Sequence, residues 1–295
     1  IKTDDQKEVS GLFGVNRGTI KNIGVINSEI KGKAYIGGVA GWNEATIENS
    51  YNTGSVSSIS HNSDSYAGGV AGYNSAKIEN SCNKGSVSGN NDNSFSGGVA
   101  GWNEATIENS YNAGSVSSNG QIDSHAGGVA GLNDIKATIE NSYNKGPVTG
   151  SAPFISYTGG VVGYNHREAM ISNIYNTGSV SSNGQIDSHA GGVAGYNDVG
   201  ATILNSYNSS LVISSAKFDS YAGGVAGWNE STIENSYNTG SVSSISGNDN
   251  GNSYAGGVAG WNRGKIKNSY YNTDSPIDGK TICEKDEGKT TAEMK

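Results

Sequence analysis

The string GGVAG, or its variant GGVVG, opens at Gly37, Gly68, Gly97, Gly127, Gly159, Gly191, Gly223 and Gly256, so the chain repeats itself about every 31 residues. A shorter relative, GLFGVNRGTIKN from Gly11, makes a ninth unit. Inside every complete unit the Ile of TIEN (or its counterpart) and the Val that closes GSV keep one spacing, from Ile47 and Val56 through to Ile233 and Val242. Length changes at two joints only. One precedes the Gly-Gly pair; the other follows the aromatic-Asn pair, where three consecutive units carry two extra residues and read NDIKA, NHREA and NDVGA. Fixed segments alternating with elastic joints read as strands separated by loops.

A unit of this kind holds too few apolar side chains to bury a core alone, and stacking units coil upon coil places Val39, Val70, Val99 and their successors in one column. The expected fold is all-β: a β-solenoid, taken as a right-handed parallel β-helix of about nine coils with one unit per coil. At ~4.8 Å per coil the rod is on the order of 45 Å long. With 45 Gly and only 3 Pro, and with apolar residues at alternate positions, the chain offers no helical periodicity. Three strands per unit are expected, around YAGGVAG, ATIENSY and GSVSS. A turn with positive φ is expected at the glycine two residues after an Asn, as at Gly54, Gly85 and Gly114. The domain reading is an N-terminal flank over 1–10, the solenoid over 11–272, and a C-terminal tail or cap over 273–295.

The net charge of −8 and the absence of a basic stripe argue against nucleic acid and anionic membrane as partners. No apolar run approaches 18 residues, so membrane insertion is not expected. Cys82 and Cys283 belong to coils roughly 30 Å apart, which predicts free thiols in a monomeric rod.

The strings GLFGVN, GGVAGWN and GGVAGYN, each followed by TIENSYNTGSV or a near copy, resemble the GLUG motif over about residues 10–272. Only Gly11-Leu12-Phe13-Gly14 matches the Gly-Leu-any-Gly core literally; most units have Val in place of Leu. The resemblance implies a large bacterial surface or secreted protein, of adhesin-like type or the non-catalytic region of an IgA-cleaving metallopeptidase. An extracellular or cell-surface location follows from it, with a host or matrix glycan or protein as partner. No HExxH is present, and HREAM at His166 lacks the second histidine.

Catalysis needs a unique convergence of carboxylates or a carboxylate with a base. Here the titratable residues recur in register: Glu48, Glu79, Glu108 and Glu140 form one column, with Lys77 beside it. His125 and His189 occupy the ring column Tyr35, Tyr66, Phe95, His125, Tyr157, His189, Tyr221, Tyr254, where they read as ring fillers. His61 stands in a polar loop without a second ligand at a recognisable spacing. Two further ring columns run through Trp42, Tyr73, Trp102, Leu132, Tyr164, Tyr196, Trp228, Trp261 and through Tyr51, Cys82, Tyr111, Tyr143, Tyr175, Tyr207, Tyr237, Tyr270. Their bland reading is stacking; their functional one is a sugar platform. Asparagines at three registers read as structural ladders. No enzyme activity, cofactor or metal site is expected, a polysaccharide-active β-helix enzyme and a peptidase spacer being the alternatives. The one group off the repeat is carried by the three insertions: Asp134, Lys136, His166, Arg167, Glu168 and Asp198, a mixed-charge ridge suited to ligand binding.

Overall fold

Every coil turns a corner at the same asparagine. Asn49, Asn80, Asn109, Asn141, Asn173, Asn205 and Asn235 all lie at φ between 48° and 55°, a left-handed conformation that Asn tolerates better than other side chains. The corner splits what reads as one strand, ATIENSY, into two short ones. The computed structural model describes residues 2–3, 7–59, 63–282 and 287–293, so that His61 and Cys283 lie outside the described residues.

Five strands, not three, therefore make a coil. In one coil they are Asp219–Gly223, Ala226–Asn229, Thr232–Glu234, Tyr237–Asn238 and Val242–Ser246. Each pairs in parallel with its counterparts in the coils before and after, giving five sheets of nine or ten strands and about eight full turns. The expectation of an all-β solenoid holds. Two of its details do not. The strand count was too low because a two-residue strand such as Tyr51–Asn52 carries no alternation to read. The positive φ falls on the corner asparagines and not on Gly54 or its equivalents; Gly200 is the one glycine with positive φ among the described residues. The glycine after Asn-x is required by close stacking instead, since a Cβ on Gly85 would run into the Gly54 carbonyl one coil away.

The interior has an apolar half and a polar half. Ile47, Ile78, Ile107, Ile139, Ile171, Ile203 and Ile233 pair in register and are fully buried, as is the column from Val39 to Val258. Two asparagine ladders run beside them. In each, the side-chain Nδ2 donates to Oδ1 of the next coil at 2.7–3.0 Å, from Asn16 to Asn262 in one and from Asn52 to Asn238 in the other. Buried serines add Oγ bonds between neighbouring strands, such as Ser182 to Ser156 Oγ at 2.9 Å. A slender rod with little apolar bulk thus satisfies its buried asparagines along its own axis, while Ser94 and Ser96 Oγ and the Nδ1 atoms of His125 and His189 are buried without a partner among the described residues.

The Gly-Gly pair is the tightest corner. A Cβ on Gly191 would overlap the Ala194 carbonyl, which is backbone and cannot step aside. Gly191→Ala is expected to cost about 2 kcal/mol in urea unfolding. An unchanged midpoint would refute that steric account.

Both ends are covered by strands outside the expected repeat boundaries. Val9–Ser10 pairs with Tyr35–Ile36 at one end. At the other, Ile277–Asp278, Thr281–Ile282 and Glu287–Lys289 add to three of the sheets. No helix among the described residues is long and apolar enough to cross a membrane.

Candidate functional site

The three insertions form identical turns in consecutive coils. In each, the backbone N–H of an alanine donates to the carbonyl three residues back: Ala137 to Asp134 at 2.9 Å, Ala169 to His166 at 3.0 Å and Ala201 to Asp198 at 3.0 Å. The third residue of each turn has positive φ, 62° at Lys136, 61° at Glu168 and 81° at Gly200, the pattern of a type II turn. Only Gly200 occupies that position without strain. Lys136→Gly should therefore stabilise the protein by about 0.5–1 kcal/mol despite the looser unfolded chain. Thermal unfolding at matched salt is the check, and a lower melting temperature would refute it.

Stacking these turns brings all six ridge residues together. Asp134, His166 and Asp198 occupy one register, the imidazole lying between two carboxylates: Nδ1 is 2.7 Å from Asp134 Oδ1 and Nε2 is 3.6 Å from Asp198 Oδ2. Arg167 Nε stands 3.8 Å from Asp198, and Lys136 Nζ 3.7 Å from Glu168. Lys136, Arg167 and Glu168 are exposed while the two aspartates are mostly covered. Asp134 also serves the scaffold. Its Oδ2 accepts from the Trp102 indole at 3.2 Å and its Oδ1 accepts from the Ile135 N–H at 2.7 Å. The exposed tips carry two apolar side chains, Ile135 and Val199.

Next to the ridge lies a recess that the charged residues did not announce. Leu132 is its floor, Trp102 and Tyr164 stand on either side, and Asp134, Ile135 and His166 form its rim, around a volume of about 350 Å³. Its sequence signal is Leu132, the one non-aromatic residue between Trp42 and Trp261 in its column, which Val15 precedes at the N-terminal end. Burial and the Asp198 carboxylate push the Tyr164 phenol pKa well up, so its hydroxyl stays protonated at physiological pH.

The remaining candidates are scaffold. Tyr111, Tyr143, Tyr175, Tyr207 and Tyr237 stack at 4.5–5.4 Å with interplanar angles of 2–11°, so their faces cover one another and offer edges to solvent, not a flat sugar platform. His189 is buried between Tyr157 and Tyr221, and His125 is half-buried between Phe95 and Tyr157; burial pushes both imidazoles down to about 3. In the glutamate column Lys77 counters two members, its Nζ lying 2.5 Å from Glu79 and 2.6 Å from Glu108, and Lys21 counters Glu48 at 2.8 Å. The Lys77 ammonium holds the Glu108 carboxyl below its usual range. Cys82 is a free thiol. Among the described residues no three His, Cys, Asp or Glu side chains are gathered as metal ligands would be.

The family described as the GLUG motif matches residues 32–57, 156–181 and 219–243. No curated protein matches the chain, and no solved structure does. Each matched stretch runs from the strand before the Gly-Gly pair through the Ile-bearing strand to the GSV region, the same portion of the coil in three separate turns. Since the remaining coils repeat that portion in backbone register, the chain is a GLUG-repeat protein.

Proposed function

We propose that this solenoid is a non-enzymatic segment of a bacterial surface protein, holding an adhesive patch away from the cell and contacting a host or matrix glycan or protein through the ridge of Asp134, Lys136, His166, Arg167, Glu168 and Asp198. The observation that carries the reading is that three turns, alike in backbone and unlike in side chain, are stacked on a scaffold fixed by ladders on every side. Coils that only build length have no need of such variation, and recognition residues concentrate on loops raised from rigid frames. The GLUG repeats and the solenoid fit a surface or spacer protein equally; the ridge favours the adhesive reading over a spacer.

Deleting Ile135-Lys136, Arg167-Glu168 and Val199-Gly200 returns each turn to the short joint that the neighbouring coils already use. The trimmed protein should fold, by circular dichroism and melting temperature, and lose most of its binding to host cells or matrix in a surface-adhesion assay. Undiminished adhesion would remove the ridge from the reading, and a parent segment that adheres to nothing would leave the spacer.

A further inference from the structure

We propose that the recess over Leu132 receives one aromatic side chain, a tyrosine or phenylalanine exposed on a partner protein, which completes the interrupted column of rings. The inference rests on the adhesive reading of this face and names the partner's chemistry.

The column is continuous elsewhere. Ring centroids are 5.2 Å apart for Trp42 and Tyr73, 6.0 Å for Tyr73 and Trp102, 4.9 Å for Tyr164 and Tyr196, 6.0 Å for Tyr196 and Trp228, and 5.6 Å for Trp228 and Trp261. Between Trp102 and Tyr164 the paired residue is Leu132. Trp102 has Tyr73 on its far side, and Tyr164 has Tyr196 on its own, so the two near faces look at each other across two coil spacings, about 9.6 Å. The Leu132 side chain fills the inner part of that gap and is buried there, so an incoming ring lies over it, held between the outer parts of the two walls at an offset-stacking distance of about 5 Å from each. The walls are held in advance: Phe95 packs on Trp102 at 5.3 Å, His125 on Tyr164 at 6.0 Å, and the Trp102 indole N–H is bound to Asp134. A preformed slot adds little ordering cost on binding.

The rim decides between a ring and a sugar. Both oxygens of Asp134 are engaged, Oδ1 by Ile135 N–H and His166, Oδ2 by Trp102. His166 Nε2, at 3.6 Å from Asp198, is the rim atom most open to a new hydrogen bond. A pyranose would bury several hydroxyls with one partner among them, a penalty for each. A phenyl ring needs none, and a tyrosine hydroxyl needs one. The flanking surface favours a side chain carried by a protein over a free aromatic compound. Ile135 is 51 % exposed beside the slot, and the Lys136–Glu168 and Arg167–Asp198 pairs beyond it offer both signs of charge to a polypeptide. An aromatic anchor in a pocket with a polar rim is the usual centre of such a contact.

The test follows the Trp102 indole N–H by NMR while the purified protein is titrated with N-acetyl-tyrosinamide, with a short peptide holding one Tyr between Lys and Glu residues, and with methyl β-glucoside. Saturable shifts are expected for the first two, with the peptide at least fivefold tighter than the amide. Leu132→Tyr supplies the missing ring from within the chain, as the neighbouring coils do, and should weaken both by at least tenfold. Ile135→Asp, on the exposed rim, should weaken the peptide at least fivefold without touching the core, and it stands in if Leu132→Tyr folds poorly. Affinity within twofold of the parent in the folded variant overturns the proposal. So does methyl β-glucoside binding as tightly as the amide, and equal affinity for amide and peptide overturns the protein source. No cell surface enters this titration, so loss of adhesion with intact probe binding counts against the adhesive reading alone.

Discussion

Asn144→Asp should unfold the middle of the rod at neutral pH and partly restore it in acid. Asn144 is fully buried and uses all four of its hydrogen-bonding positions. Its Nδ2 donates to the Gly146 carbonyl at 2.7 Å and to Asn176 Oδ1 at 2.9 Å, while its Oδ1 accepts from Asn112 Nδ2 at 2.8 Å and from the Gly146 N–H at 3.2 Å. An aspartate at that place turns a second oxygen toward two acceptors and buries an unpaired charge, at a cost of about 4 kcal/mol. Both effects disfavour the anion, so the folded-state pKa of the new carboxyl lies above its unfolded value of about 3.9. The deficit is then smallest below the unfolded pKa and grows as pH rises through the folded one. Asn144→Ala removes the same bonds without a charge and should lose about 2 kcal/mol relative to the parent at every pH. Urea midpoints of the three proteins at pH 3.5, 5 and 7 separate the two effects. Parallel pH profiles for Asp and Ala would show that water reaches the ladder and screens the charge.

The second large effect concerns His189, and its sign is opposite. The imidazole is 4 % exposed, stacked on Tyr157 and Tyr221, and its Nδ1 has no hydrogen-bond partner. Burial lowers its pKa from 6.5 to about 3, so over that interval the unfolded chain binds a proton that the folded one refuses. Stability contributed by the neutral ring is complete above about pH 6.5 and is lost as pH falls, at about 1.4 kcal/mol per unit, reaching about 3 kcal/mol by pH 4.5. Asp187 and Asp123, whose pKa values burial raises, act in the other direction. His189→Tyr places in the column the residue found in the coils on either side. It should match the parent at pH 7.5 and melt distinctly higher at pH 4.5. The same exchange at the half-buried His125 should do less. Superimposable pH profiles for parent and His189→Tyr would mean that the coil opens locally to let the proton in.

How much of this was legible depended on whether a feature belongs to one unit or to the contact between units. The Gly-Gly spacing and the constant distance from Ile47 to Val56 suffice for a solenoid, because a register kept through seven units permits one stacking. The ring columns and the asparagine ladders follow from the same alignment. The five-strand coil does not. Asn49 reads as an ordinary turn former, and only the closing of the coil forces it to φ 50°, splitting one apparent strand into Ile47–Glu48 and Tyr51–Asn52. The role of Gly85 was misread for a related reason: its constraint is a carbonyl in the coil before it, 31 residues away in sequence.

The ridge divides along the same line. That Asp134, His166 and Asp198 share a register was fixed by the three insertions. That His166 leans 2.7 Å from one carboxylate and 3.6 Å from the other, and that Asp134 is also tied to Trp102, was decided by side chains meeting across coils. By itself the sequence determined the all-β solenoid, its period, its columns and the place where the repeat breaks, since each of these is a property of alignment along one axis. The tertiary structure alone decided the number of strands per coil, which residue turns each corner, and the open slot above Leu132. Those depend on distances between atoms of different coils, and a change of a single side chain there alters space and hydrogen bonding without altering the repeat.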